Sequence, residues 1–172
     1  MTRCLFLLAV LLMPMLASAE EMKLDDMPAH AKAVHGHYCD QWDFVKERDN
    51  PIQSYALKDG RKLVMISCYL AAYNAGSIGF LVDNSNRWEP IMVPTHANGY
   101  WMSDAFLSNP DYDEKTQTIF TYHKHRGLGD CWTSAQYGIH DYGVYLKKLE
   151  VKDECDGKLE GGTLIYEYKG TT

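Results

Sequence analysis

The 172-residue sequence lacks most of the signatures by which a catalytic or nucleic-acid-binding chain is recognised. It has no Gly-x-Ser-x-Gly elbow and no His-Glu-x-x-His pair, so neither an esterase-type serine nor a zincin site is written into it. It has no Cys-x-x-Cys pair, which removes the usual ligands of a structural zinc. Positive charge is short: 17 Lys and Arg stand against 23 Asp and Glu, a formal −6. That balance excludes the clustered basic surface that nucleic acid or anionic lipid requires, and it suits a basic protein partner. No apolar run is long enough for a membrane span.

What is present begins with an address. Arg3, the apolar stretch Cys4 to Leu16 and the small residues Ala17-Ser18-Ala19 read as a secretory signal cleaved near Ala19. No Leu-x-Gly-Cys pattern makes Cys4 a lipid-bearing cysteine. The expectation is a periplasmic protein whose residues 20–172 form one domain. Removing the leader costs only Arg3 among charged residues. It leaves Cys39, Cys68, Cys131 and Cys155, an even number that predicts two disulfides in an oxidising compartment.

Pro28, the alanines after it and Val34 suggest one short helix, capped by Asp25 or Asp26 and ended by Gly36. His30, His35 and His37 lie on it close to Cys39. Three histidines invite a metal reading, but the end of a short helix beside a disulfide explains them without one, and neither metal nor cofactor is expected. From Gln41 onward the texture is of short strands. Asn50-Pro51 marks one turn and Lys58-Asp59-Gly60-Arg61 a hairpin turn. Leu63 to Leu70 is apolar at nearly every position, as in a strand buried on both faces. Asn74, Gly76 and Gly79 break the next run before Phe80 to Val82. Residues 83–104, with Pro90 and Pro94, read as an irregular excursion or lid with an edge strand near Ile91 to Val93. A turn spans Asn109 to Lys115. Its Asp111, Asp113 and Glu114 resemble the start of a calcium loop but lack the glycine and glutamate that complete one.

A strand over Thr118 to His125 leads into His123 to Trp132, HKHRGLGDCW, where Gly127 and Gly129 permit positive φ or close approach. Two strands joined at Asp141-Tyr142-Gly143 follow. If they turn near 142 and 143, Cys131 lies opposite residue 154. Cys131 can then bridge Cys155 and leave Cys39 to Cys68. The last strand, TLIYEYK, alternates like a half-buried edge. Two stretches, Cys68 to Leu81 and Cys131 to Leu146, echo one another as cysteine, aromatic, alanine, tyrosine, glycine and strand. The fold class is therefore mainly β: antiparallel hairpin sheets arranged as a sandwich, barrel or small propeller, with one N-terminal helix.

Cys39-Asp40, CYLAAYN at Cys68 to Asn74, NPDYD at Asn109 to Asp113, RGLGDC at Arg126 to Cys131 and ECDG at Glu154 to Gly157 together resemble a bacterial family. It is the family of exported proteins known as domain of unknown function 1176, and the likeness spans roughly residues 39–160. The chain departs from the family pattern at Lys124 or His125 and at Trp132, where glycine is usual. The resemblance implies a periplasmic address and disulfides, and no activity. A looser likeness of texture links it to periplasmic β-rich proteins that inhibit lysozymes.

His123, His125, Arg126 and Asp130, with Tyr73 and Asn74, are the candidate binding residues. On a strand, positions 123 and 125 share a face, so two imidazoles can flank one site. Arg126 and Asp130 equally suit a buttress for the glycine turn. The expected function is a non-catalytic protein that binds another envelope protein, as an inhibitor or immunity factor against a peptidoglycan-cleaving enzyme. The alternative is an envelope hydrolase using His123, His125 and Asp130, with His140 and Ser134 as further candidates.

Overall fold

In the computed structural model the described residues are 22–46, 51–97 and 99–170; the expected leader, residues 1–19, and Asn50 of the Asn50-Pro51 turn lie outside them. A single 3-10 turn, Leu24–Asp26, leads into helix α1, Ala29–Tyr38, and the one-turn helix α2, Trp42–Val45. Pro28 stands at the N-cap of α1, and the expected aspartate cap does not form, because Asp26 instead accepts from the Lys23 amide in the turn before it. Gly36 does not end the helix. Buried Ala31 and His35 keep it packed as far as Tyr38, and the Cys39 amide closes it on the His35 carbonyl.

Among the described residues twelve strands follow: β1 Ile52–Ala56, β2 Lys62–Leu70, β3 Ala75–Val82, β4 Trp88–Pro90, β5 Val93–Ala97, β6 Tyr100–Asp104, β7 Phe106–Ser108, β8 Asp111–Asp113, β9 Thr118–Lys124, β10 Trp132–His140, β11 Gly143–Lys152 and β12 Thr163–Glu167. The first large sheet has the order β1-β2-β3-β4, with β7 sharing the outer edge of β3 beside β4. The second runs β12-β11-β10-β9-β8, and β5-β6 form a separate hairpin. All pairings are antiparallel, and both large sheets keep open edges, so the arrangement is two stacked sheets rather than a closed barrel.

The alternation of side chains along β2 decides the layering. Leu63 and Met65 face the second sheet, where they join Leu107, Ile119, Ala135, Tyr137 and Leu149 in one core. Val64, Ile66 and Cys68 face the other way, onto Met27, Ala31 and Cys39 of the helical layer. The unbroken apolar run of β2 thus serves two cores. The Cys39–Cys68 disulfide ties the helical layer to its sheet.

Gly76 and Gly79 do not interrupt β3, which runs unbroken across both. Each is a place where another side chain lies flat on the strand. A Cβ on Gly76 would stand 1.8 Å from the ring of Tyr69, its neighbour across the ladder, and one on Gly79 would stand 2.9 Å from Ile91. The same device recurs in the second sheet, where Tyr145 covers its cross-strand partner Gly138. An aromatic ring over a facing glycine restores the packing that the glycine lacks. Both halves of the cysteine-aromatic-tyrosine-glycine echo contain such a pair.

Residues 83–104 are more regular than their prolines suggest. The edge strand is β4 rather than Ile91 to Val93, and the remainder forms the β5-β6 hairpin. Pro90 and Pro94 are tolerated because β4 and β5 each ladder on one side only. In the β10-β11 hairpin Trp132 faces Lys152, one position short of the expected register, because a bulge falls at Gln136/Tyr137 and the turn residues are Asp141 and Tyr142. The second bridge forms as expected between Cys131 and Cys155, with Cα atoms 4.7 Å apart. β12 is an edge strand, but all five of its residues are exposed rather than half-buried. Among the described residues no helix is long and apolar enough to cross a membrane.

Candidate functional site

The HKHRGLGDCW stretch splits into two parts with different surroundings. Its second part is a corner. The His125 amide bonds the Cys131 carbonyl, the Gly129 amide bonds the Arg126 carbonyl, and Gly129 takes a φ of 72°. Gly127 has no positive φ, and a Cβ there would meet the ring of Tyr73 at 3.4 Å, an ordinary van der Waals contact. Arg126 grips Asp130 through Nε, at 2.7 Å, and through Nη2, and also donates to the Cys155 carbonyl at 2.9 Å. Asp130 has no exposed surface and accepts a further bond from the Gly157 amide at 2.6 Å. The Arg126 guanidinium, with help from that amide, holds the Asp130 carboxyl well below the usual carboxylate range despite its burial. Together with the disulfide, these contacts fasten the corner to the segment from Cys155 to Gly157.

Asn74 is buried and joins the two sheets. It donates to the Lys124 carbonyl at 2.8 Å, accepts from the Lys124 amide at 3.0 Å and accepts from Asn109 at 2.8 Å. Asn109, with a φ of 42°, donates to the Tyr122 carbonyl and accepts from the Ala75 amide. Two side-chain amides therefore stand in for a backbone ladder between the start of β3 and the end of β9. Tyr73 beside them is 40% exposed.

The first part of the stretch opens on a cleft of about 320 Å³ where β2, β7, β9, β10 and the β5-β6 hairpin meet. His123 lines it from β9 and His125 from just past its end, their ring centroids 5.5 Å apart. Each imidazole is oriented by a hydroxyl: Nδ1 of His123 lies 3.0 Å from Ser108 Oγ, and Nε2 of His125 lies 3.0 Å from Thr133 Oγ1. Tyr69 and Phe106 form an apolar wall, their rings 5.6 Å apart. The hairpin adds His96, which stacks edgewise on Trp101, and Asp104, whose Oδ1 accepts from the Phe106 amide at 2.9 Å.

Desolvation of the ring in the cleft lowers the His123 pKa, His125 lowers it further, and Asp104 pulls it back in part. His123 is therefore neutral at physiological pH. Burial, and behind it the Asp104 carboxylate, raises the Tyr69 phenol. Burial also pushes Tyr137, whose hydroxyl donates to the Pro94 carbonyl, up to about 12.

The sequence-derived candidates thus separate. His123 and His125 come together in the cleft, and Arg126 and Asp130 come together in the corner behind it. His140 lies at the far end of β10, seven residues or roughly 23 Å along the strand from Thr133. Its Nδ1 accepts from the Tyr142 amide. Ser134 points to the opposite face from Thr133 by strand alternation. Tyr69, His96, Asp104 and Ser108 were not singled out from the sequence. His96 and Asp104 fall in the segment whose prolines read as irregular, beyond the edge strand expected near Ile91 to Val93. Among the described residues no three of His, Cys, Asp or Glu converge to hold a metal ion.

The Ser108–His123 and Thr133–His125 pairs each resemble a nucleophile and its base, and the nearby Asp104 carboxylate gives its Oδ1 to the Phe106 amide.

The chain is similar to the uncharacterized protein YpfG of Escherichia coli (strain K12), 30% identical over 105 residues. That match covers 59% of this chain and 30% of YpfG, so the chain spans less than a third of this relative's length. No solved structure matches it. The family profile described as "Protein of unknown function (DUF1176)" matches residues 13–166, nearly the whole sequence including both disulfides and the cleft, and the chain belongs to that family.

Proposed function

We propose that this chain, with residues 20–172 as one domain, is a non-catalytic periplasmic binding protein that inhibits, or gives immunity against, a peptidoglycan-cleaving enzyme. The observation that carries the reading is the tip of the β5-β6 hairpin. Tyr100, Trp101 and Met102 are 73%, 51% and 50% exposed. Consecutive large side chains held out on a hairpin have the composition of an interface hot spot, where Trp and Tyr dominate. The formal charge of −6 favours encounter with a basic partner, as many lysozymes are. Two disulfides fit an oxidising compartment. The hydrolase reading has less support, because Asp130 is spent on Arg126 and Gly157 and faces neither imidazole.

The test is a pull-down from envelope extract with a lysozyme inhibition assay, at low and at physiological salt. Capture of a lytic enzyme, with inhibition weakened at least thirtyfold by Trp101→Ala, is expected, which matches a loss of about 2 kcal/mol at a hot spot. Neither capture nor inhibition at either salt would remove the reading.

A further inference from the structure

We infer that the cleft between the two sheets and the β5-β6 hairpin binds a neutral sugar ring of an envelope glycan. Asp104, His123 and His125 are its hydrogen-bonding groups, and Tyr69 and Phe106 are its apolar wall. The size is the first constraint: about 320 Å³ lies at the small end of ligand pockets and suits one or two sugar rings rather than a peptide segment.

Charge is the second. Among the described residues no Lys or Arg lines the cleft, and the Asp104 carboxylate acts on its interior, contributing after burial itself to the raised Tyr69 phenol. Phosphates and carboxylates are therefore disfavoured. A metal ion is disfavoured too, because among the described residues no third ligand joins the two imidazoles in a metal-holding group. An ammonium group would meet a single carboxylate with one oxygen already bonded to the Phe106 amide.

Hydrogen-bonding capacity is the third. A neutral imidazole donates at one nitrogen and accepts at the other. Ser108 and Thr133 occupy Nδ1 of His123 and Nε2 of His125, which leaves His123 Nε2 and His125 Nδ1 without a protein partner among the described residues. Asp104 Oδ2 is likewise open to a pair of hydroxyl donors. Sugar hydroxyls both donate and accept, and the C–H face of a pyranose packs on an aromatic ring. This set of fixed donors and acceptors, one carboxylate and an aromatic wall matches that chemistry and no simple ion.

The inference does not rest on the protein-partner reading, since of the tip residues only Met102 reaches the cleft, and the groups assigned to the sugar are others. Isothermal titration of the mature chain with N-acetylglucosamine oligomers and with maltotriose tests it, with glucosamine and Zn²⁺ as counter-probes. Saturable binding of a neutral oligosaccharide is expected, and the preferred oligomer identifies the glycan source. Affinity should fall at least tenfold in Asp104→Asn, which keeps the acceptor for the Phe106 amide, and in His123→Gln. Unchanged thermal unfolding of Asp104→Asn separates lost binding from lost folding. The inference is overturned if neither neutral oligomer binds, if binding survives both substitutions, or if only glucosamine or Zn²⁺ binds. A lytic enzyme captured without any sugar binding would sink this inference alone.

Discussion

Gly76→Ala probes the wall of the cleft and the packing of the sheet at once. The added methyl would stand 1.8 Å from Cε1 and 2.3 Å from Cζ of Tyr69. Carbon atoms rest at roughly 3.5–4.0 Å, so the ring must retreat by about 1.7 Å. It cannot do so freely, because it packs on Phe106 with centroids 5.6 Å apart. Overpacking of a filled site costs about 1–3 kcal/mol, and collision with a ring body rather than a flexible tip places this change near the upper end. In a Tyr69→Ala background the collision vanishes. Alanine then lowers the backbone entropy of the unfolded chain, so the same substitution should stabilise by roughly 0.5–1 kcal/mol. The double-mutant cycle therefore predicts a coupling of about 3 kcal/mol. Urea unfolding followed by the fluorescence of the four tryptophans measures it, with equal m-values as the check that the folded states are comparable. Single-mutant effects that add to within about 0.5 kcal/mol would refute the placement of the ring over Gly76.

Replacing both Cys131 and Cys155 by alanine should cost about 3.5 kcal/mol by loop entropy, given their separation of 24 residues, read as the shift in urea midpoint. Leu107→Ala, at a site with no exposed surface between the two sheets, should cost about 2–5 kcal/mol in the same assay, and a cost below about 1 kcal/mol would deny that the sheets share that core. The Asp130 carboxyl is held below its unfolded value of about 3.9, so its contribution to stability is present above that pH and drains away as pH falls toward the folded value. Acid titration of stability should accordingly fall less steeply below about pH 4 in Asp130→Asn than in the parent. A fluorophosphonate should leave Ser108 unmodified by intact mass, and stoichiometric labelling would revive the hydrolase reading.

Much of the fold was legible because its signals are local. The unbroken apolar run of β2 announced a strand with two buried faces, the Asp59-Gly60 turn marked the β1-β2 hairpin, and the β10-β11 hairpin brings Cys131 to Cys155. Where sequence reading failed, a distant contact overrode a local rule. Gly76 looks like a strand breaker until Tyr69 is seen lying on it, and Gly36 looks like a stop until the packing of His35 carries the helix past it. The site was half visible. The i, i+2 spacing placed His123 and His125 on one face, but His96, Asp104 and Ser108 reach the cleft through strand pairings that leave no trace in their own neighbourhoods. Arg126 and Asp130 stood out by their density beside a glycine turn, which is as much the mark of a fastened corner as of a binding group.

The two disulfides carry a consequence for when the molecule becomes complete. One staples the helical layer to β2, and the other staples the cleft-bearing strands to the segment leading into β12. A chain held in a reducing compartment would have neither staple, so its helical layer and its His125 corner would be secured by packing and hydrogen bonds alone. Oxidation is thus the step that sets both margins of the protein, and the same sequence would present a looser, more easily unravelled body before that step than after it.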